Sequence, residues 1–112
     1  MPAIAIRVRT DGAVYLTVTP PAPKLRNPET GEIAKHRETG QPLFTVSLVE
    51  TYEGRAQVLK VTIPENGLPK NLTVGQAVIP VNLTATPWAR LFTADQLSEG
   101  VVYRADVLEP VK

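Results

Sequence analysis

A chain of 112 residues has room for one hydrophobic core and little for a second, and it contains no cysteine to staple itself together. Its net charge of +1 excludes a partner captured by overall basicity, so any nucleic-acid binding has to come from cations gathered on one face. Eleven prolines, about twice the usual frequency, interrupt the chain too often for long helices and point to a turn-rich β-domain.

Ile4, Ile6 and Val8 alternate with Ala5, Arg7 and Arg9, the period of a half-buried strand. Asp11-Gly12 is a tight-turn signal, and Val14, Leu16 and Val18 then alternate with Tyr15, Thr17 and Thr19. A first hairpin is expected, with the valines and Leu16 inward and Tyr15 on the polar face beside Arg7 and Arg9. Thr19-Pro20-Pro21-Ala22-Pro23 ends regular pairing, because proline donates no amide hydrogen. Residues 24–41 are the least core-like stretch and contain Glu-Thr-Gly twice, which predicts two tight turns on an exposed β-arm. Phe44, Val46 and Leu48, then Leu59, Val61 and Ile63, predict a second hairpin turned at Glu53-Gly54. Pro64 to Pro69 is a breaker cluster leading to a strand near 77–86, in which Pro80 marks an edge or a bulge. Thr93-Ala94-Asp95-Gln96-Leu97 fits one helical turn capped by Thr93, and a last strand spans Val101 to Val107. The expected fold is all-β: one domain over 1–112, a small five- to six-stranded antiparallel barrel of the oligonucleotide-binding type, with its long arm at about 24–41. A small open sandwich fits the same pattern.

Chemistry is sparse along the chain. One histidine, no cysteine and no Gly-x-Ser-x-Gly turn leave no catalytic constellation, and His36 has no second histidine with which to hold a metal. No enzyme, cofactor or metal is expected. Arg7 and Arg9 leave one face of their strand, although cations on an outer strand also guard against edge-to-edge aggregation. Lys24, Arg26, Lys35 and Arg37 stand on the arm, and Arg55, Lys60, Arg90 and Arg104 complete the basic set. Single-strand binders pair such cations with rings on which bases stack, for which Tyr15, Tyr52, Trp88 and Phe92 are the candidates. Trp88, after Pro87, is the exception: a lone tryptophan in a small domain usually packs, which favours a plug for an open barrel end over a stacking ring. Met1 to Arg7 has no basic segment ahead of a long apolar run, and no stretch reaches the ~20 apolar residues of a membrane span. A cytoplasmic protein without a membrane partner is therefore expected.

Three segments together carry a resemblance: Asn27-Pro28-Glu29-Thr30-Gly31, Arg37-Glu38-Thr39-Gly40-Gln41-Pro42-Leu43-Phe44-Thr45-Val46, and Val81-Asn82-Leu83-Thr84-Ala85-Thr86-Pro87-Trp88. In this order they resemble small regulatory proteins of actinobacterial conjugative plasmids and integrative elements, which implies a role in replication, transfer or maintenance of such an element. A weaker resemblance joins Gly40-Gln41-Pro42, Val58 to Ile63 and Gly100 to Val111 to the gene V single-stranded DNA-binding protein of filamentous phages. That family implies an oligonucleotide-binding barrel, a homodimer and a β-arm, although residues 24–41 carry no aromatic ring. The expected function is single-stranded DNA (or RNA) binding, with Arg7, Arg9, Lys24, Arg26, Lys35 and Arg37 on phosphates and Tyr15, Tyr52 and Trp88 on bases. The competing reading is a regulatory adaptor that docks on a replication or transfer protein by its arm and its Pro80 edge. A duplex regulator is disfavoured by the lack of a helix-turn-helix pattern.

Overall fold

The computed structural model of the chain describes residues 4–27 and 29–111, apart from the side chains of Arg90 and Phe92. Among the described residues there are eleven strands and no α-helix. The strands are β1 (Ile6–Arg7), β2 (Val14–Thr17), β3 (Ala22–Pro23), β4 (Leu25–Asn27), β5 (Glu32–Ile33), β6 (Leu43–Tyr52), β7 (Arg55–Pro64), β8 (Ala77–Val81), β9 (Thr84–Thr93), β10 (Gln96–Arg104) and β11 (Val107–Pro110). A single 3₁₀ turn, Glu65–Gly67, follows β7.

The β6–β7 hairpin is the spine of the fold, paired without a slip from Leu43↔Pro64 to Tyr52↔Arg55. Its turn holds Glu53 at φ 48° and Gly54 at φ 78°, the two left-handed positions that match the twist of the strands. Val46, Leu48, Leu59, Val61 and Ile63 alternate inward from it and are almost fully buried.

The rest of the sheet curls around that core. β2 pairs with β6 on one side and with β8 on the other. β8 continues through Asn82-Leu83 into β9, and β10 continues through Ala105-Asp106 into β11. These two long runs pair along their whole length, Val107↔Val81 beyond the kink and Arg104↔Thr84 before it. Asn82, at φ 56°, makes the kink, and its Nδ2 donates to Asp106 Oδ2 across it at 2.9 Å. β10 then lies parallel to β7 through Tyr103↔Val61 and Arg104↔Thr62. Following the pairings from β2 through β6, β7, β10/β11 and β8/β9 leads back to β2 at Tyr15↔Val78.

Several expectations need correction. The strands are more numerous than the five or six expected, because two- and three-residue strands accompany the long ones, and the β7–β10 contact is parallel. The turn at Asp11-Gly12 forms, with Ala13 N donating to Thr10 O, but β1 pairs with β9 instead of β2. No first hairpin results, because β2 already has β6 and β8 on its two edges. Thr93 to Leu97 is a hairpin turn between β9 and β10, where the Thr93 hydroxyl accepts from Asp95 N at 3.3 Å. The long cross-strand ladder outweighs the local capping signal.

β2 is also turned over. Tyr15 and Thr17 face the core at 2% and 1% exposure, whereas Val14, Leu16 and Val18 face outward. A one-residue choice of face decides the whole strand, and here the tyrosine ring supplies the large buried surface. Its hydroxyl is satisfied by donating to Glu50 Oε2 at 2.5 Å, so burial leaves no orphaned phenol. In the arm, β4 and β5 form a small hairpin, and two turns are closed by Gly31 N to Asn27 O and Gly40 N to His36 O. Both glycines have left-handed φ, 76° and 73°, as the repeated Glu-Thr-Gly predicts.

Candidate nucleic-acid interface

The arm folds back over the outer face of β7 and leaves a groove of about 1010 Å³ beside the sheet kink. Lys24, Lys35, His36, Arg37 and Glu38 wall it from the arm, Leu43, Thr62 and Pro64 from the spine, and Asn82, Thr84, Arg104 and Asp106 from the kinked strands. The arm is anchored by backbone bonds on both sides of Lys24: its amide donates to Leu43 O at 2.8 Å, and its carbonyl accepts from Ala34 N at 2.7 Å.

Lys24 is half-buried, and its ammonium donates to the Thr62 hydroxyl at 3.5 Å. Burial, then the Arg104 and Lys60 cations nearby, hold its pKa below the ordinary lysine value. No carboxylate within ion-pair distance offsets that charge among the described residues, where the only ion pairs are Arg9–Asp11 and Arg26–Glu32. Lys24 stands near two other cations with no carboxylate in ion-pair contact. Although Glu38 and Asp106 also line the groove, its four lining cations outnumber them and favour an anion there. His36 braces the outer turn, its Nδ1 accepting from the amides of Glu38 and Thr39 at 3.2 and 3.3 Å. That geometry puts the proton of a neutral ring on Nε2.

Lys24, Lys35 and Arg37 thus meet in one groove. Arg26 and Arg9 do not join them: Arg26 pairs with Glu32 at 3.5 Å, and Arg9 with Asp11 at 2.7 Å. Arg7 lines a smaller, adjoining hollow of about 560 Å³ that shares Asn82 and Thr84 with the groove. Tyr15 lies in the core, not on a polar face with Arg7 and Arg9, which corrects its assignment as a stacking ring. Burial and the Glu50 carboxylate raise its pKa well above the ordinary phenol value. Tyr52 is exposed but stands at the far end of the spine, against Gly12. Arg55, its partner, lies seven residue steps along β7 from Thr62, roughly 23 Å at strand spacing.

Trp88 stands apart from the core on a projecting ribbon. β9 has β1 beside it only at Thr84–Ala85, and β10 meets β7 only at Tyr103–Arg104. From 86 to 101 the two strands pair with each other alone, which contributes to a radius of gyration of 14.9 Å, against about 13 Å for a compact chain of this length. Trp88 sits opposite Gly100, and a Cβ there would lie 2.9 Å from the indole. The glycine lets the ring lie flat on the ribbon, 43% exposed, so Trp88 is no barrel plug. Thr84/Arg104, Thr86/Val102 and Trp88/Gly100 share one ribbon face by their alternation. The face that enters the groove at Arg104 therefore carries Trp88 two residue pairs further on. Phe92, the remaining candidate ring, lies outside the described side chains.

Arg104, which lines the groove, and Lys60, a cation near Lys24, are the two that sequence reasoning left in the general basic set. The outward phase of Arg104 in the alternating last strand was a usable signal, but its proximity to Lys24 depends on the parallel β7–β10 contact. Among the described residues no three His, Asp or Glu side chains gather as a metal site, and no helix is long and apolar enough to cross a membrane. No protein-family model, curated protein or solved structure matches the chain, so the resemblances rest on the quoted segments alone.

Proposed function

We propose that this chain binds single-stranded nucleic acid, DNA in the first instance, in the groove between the arm and the kinked strands. The observation that carries the reading is Lys24, half-buried near Lys60 and Arg104 with no carboxylate within ion-pair distance among the described residues. Phosphates passing Lys24, Lys35, Arg37 and Arg104 would supply the missing charge, and an unpaired base could stack on Trp88 along the same ribbon face. Duplex DNA fits poorly, because its bases are stacked inside and unavailable to a ring.

What supports an oligonucleotide-binding barrel is the circuit of five strand runs with one parallel contact. In that reading the arm joins the first and second strands and the ribbon joins the fourth and fifth, the two connections such barrels use for oligonucleotides. The resemblance to plasmid and integrative-element proteins suggests replication or transfer of a mobile element as the setting.

The test is a labelled single-stranded oligonucleotide titrated with Lys24→Met and, as a matched control, Arg26→Met. Lys24→Met should weaken binding several-fold and reduce its salt slope by about 0.7. Arg26, already paired with Glu32, should matter less. Equal effects of the two variants, or no binding by the unaltered protein, would remove the groove from the reading.

A further inference from the structure

The outer face of β2, β8 and β11 is apolar although none of the described residues covers it. Val14, Leu16, Val18, Ile79, Val107 and Val111 are 36–54% exposed there. They are neighbours across the strands: Leu16 lies between Val49 and Ala77, Ala77 O accepts from Val111 N, and Val107 faces Val81. The inverted β2 makes the feature more telling. It directs Thr17, whose Oγ1 has no hydrogen-bond partner, into the core and puts two valines and a leucine outside. A strand with its aliphatic set outward belongs between two apolar layers, of which this chain supplies one.

We propose that a second copy of this chain supplies the other, the two β2–β8–β11 faces packing across a two-fold axis. The inference does not rest on the nucleic-acid reading, since none of these residues lines the groove. Two observations choose a second copy over a different partner. First, Glu109 is the one charged residue alternating outward on these three strands, so the face lacks the charge pattern that would select a dissimilar surface; it is complementary to another aliphatic face. Second, at their fractional exposures these six residues present roughly 500 Å² per copy. Two copies would then bury about 1,000 Å², the lower bound for a specific interface and suited to a micromolar dimer. The ribbon's exposed Leu91 and Leu97 form a narrower strip at the other side of the kink and serve as the control.

The experiment is sedimentation equilibrium of the full chain from about 1 to about 200 µM, a range chosen to bracket a micromolar dimer. The mass should rise from 12.2 kDa to twice that value across the range. Val14→Lys/Ile79→Lys replaces exposed side chains only, so its circular dichroism should stay that of the parent, and its dissociation constant should rise at least tenfold. Leu91→Lys should dimerise like the parent. A mass of one chain at every concentration would overturn the proposal and leave the face to a different protein. A dimer retained by the double variant, or lost in Leu91→Lys instead, would overturn it as well. If the double variant loses its folded spectrum, Val111→Lys at the rim replaces it and should raise the dissociation constant severalfold, with no change counting against the proposal.

Discussion

Tyr15→Phe removes one oxygen from the core and leaves the ring in place. The tyrosine is 2% exposed, and its hydroxyl donates to Glu50 Oε2, while Glu50 Oε1 keeps the bond it accepts from Gln57 Nε2 at 2.8 Å. Hydrogen bonds to charged groups contribute about 1.5–3 kcal/mol net. Because Glu50 is half-buried and retains Gln57, the loss should fall near the lower end, about 1.5 kcal/mol. For a domain of this size that lowers the melting temperature by roughly 6–10 °C, read by circular dichroism, with matching displacement of the urea midpoint. The pH dependence has a definite sign. The folded-state pKa of Tyr15 is raised, so its contribution is complete below the ordinary phenol value near pH 10 and is lost as pH rises through the folded value. The gap between parent and variant should therefore narrow in alkali. Binding to single strands should be unchanged within about twofold, because a buried ring cannot stack a base. A stability change below about 0.5 kcal/mol together with a large loss of binding would refute the burial of Tyr15 and restore it to the surface.

Two further outcomes follow from close approaches in the fold. Gly67→Ala would set a Cβ 2.0 Å from the Asp106 carbonyl oxygen and 3.2 Å from Ile63, so it should destabilise by about 3 kcal/mol or more in urea, a stable variant being the contrary result. Trp88 is the sole tryptophan, so its fluorescence should be quenched when a single strand binds. Trp88→Ala should cost binding roughly 1–3 kcal/mol with stability nearly unchanged, whereas unquenched fluorescence at saturation would take Trp88 out of the site.

Much of the fold was legible in the sequence where two signals agreed. β6 and β7 combine strict alternation with a two-residue turn at Glu53-Gly54, and the arm's turns are announced by glycines that need left-handed φ. β2 was misread because Val-Tyr-Leu-Thr is amphipathic in either phase. The choice depends on Glu50, 35 residues away, being present to accept the phenol. The partner of β1 and the parallel contact of β7 are likewise long-range pairings that carry no local mark. Among the cations, Arg9 lies two residues from the acid that neutralises it, a pairing that could have been anticipated. The grouping of Lys24 with Lys60 and Arg104 could not, because it depends on the arm's return and on the kink. The projecting ribbon was hidden by the Thr93 capping pattern, which resembles a helix start until the ten-residue β9 is seen to continue into it.

The central claim is that the groove neutralises the phosphates of a single strand, and fluorescence anisotropy with labelled single-stranded and duplex oligonucleotides tests it most directly. Four cations line the groove, Lys24, Lys35, Arg37 and Arg104. Each phosphate neutralised on a single strand contributes about −0.7 to the slope of log affinity against log salt, so four give about −2.8. Between about 50 and about 200 mM salt, single-strand affinity should then fall about 50-fold, with duplex binding much weaker throughout. Equal affinity for both forms, or single-strand binding indifferent to salt, would contradict it.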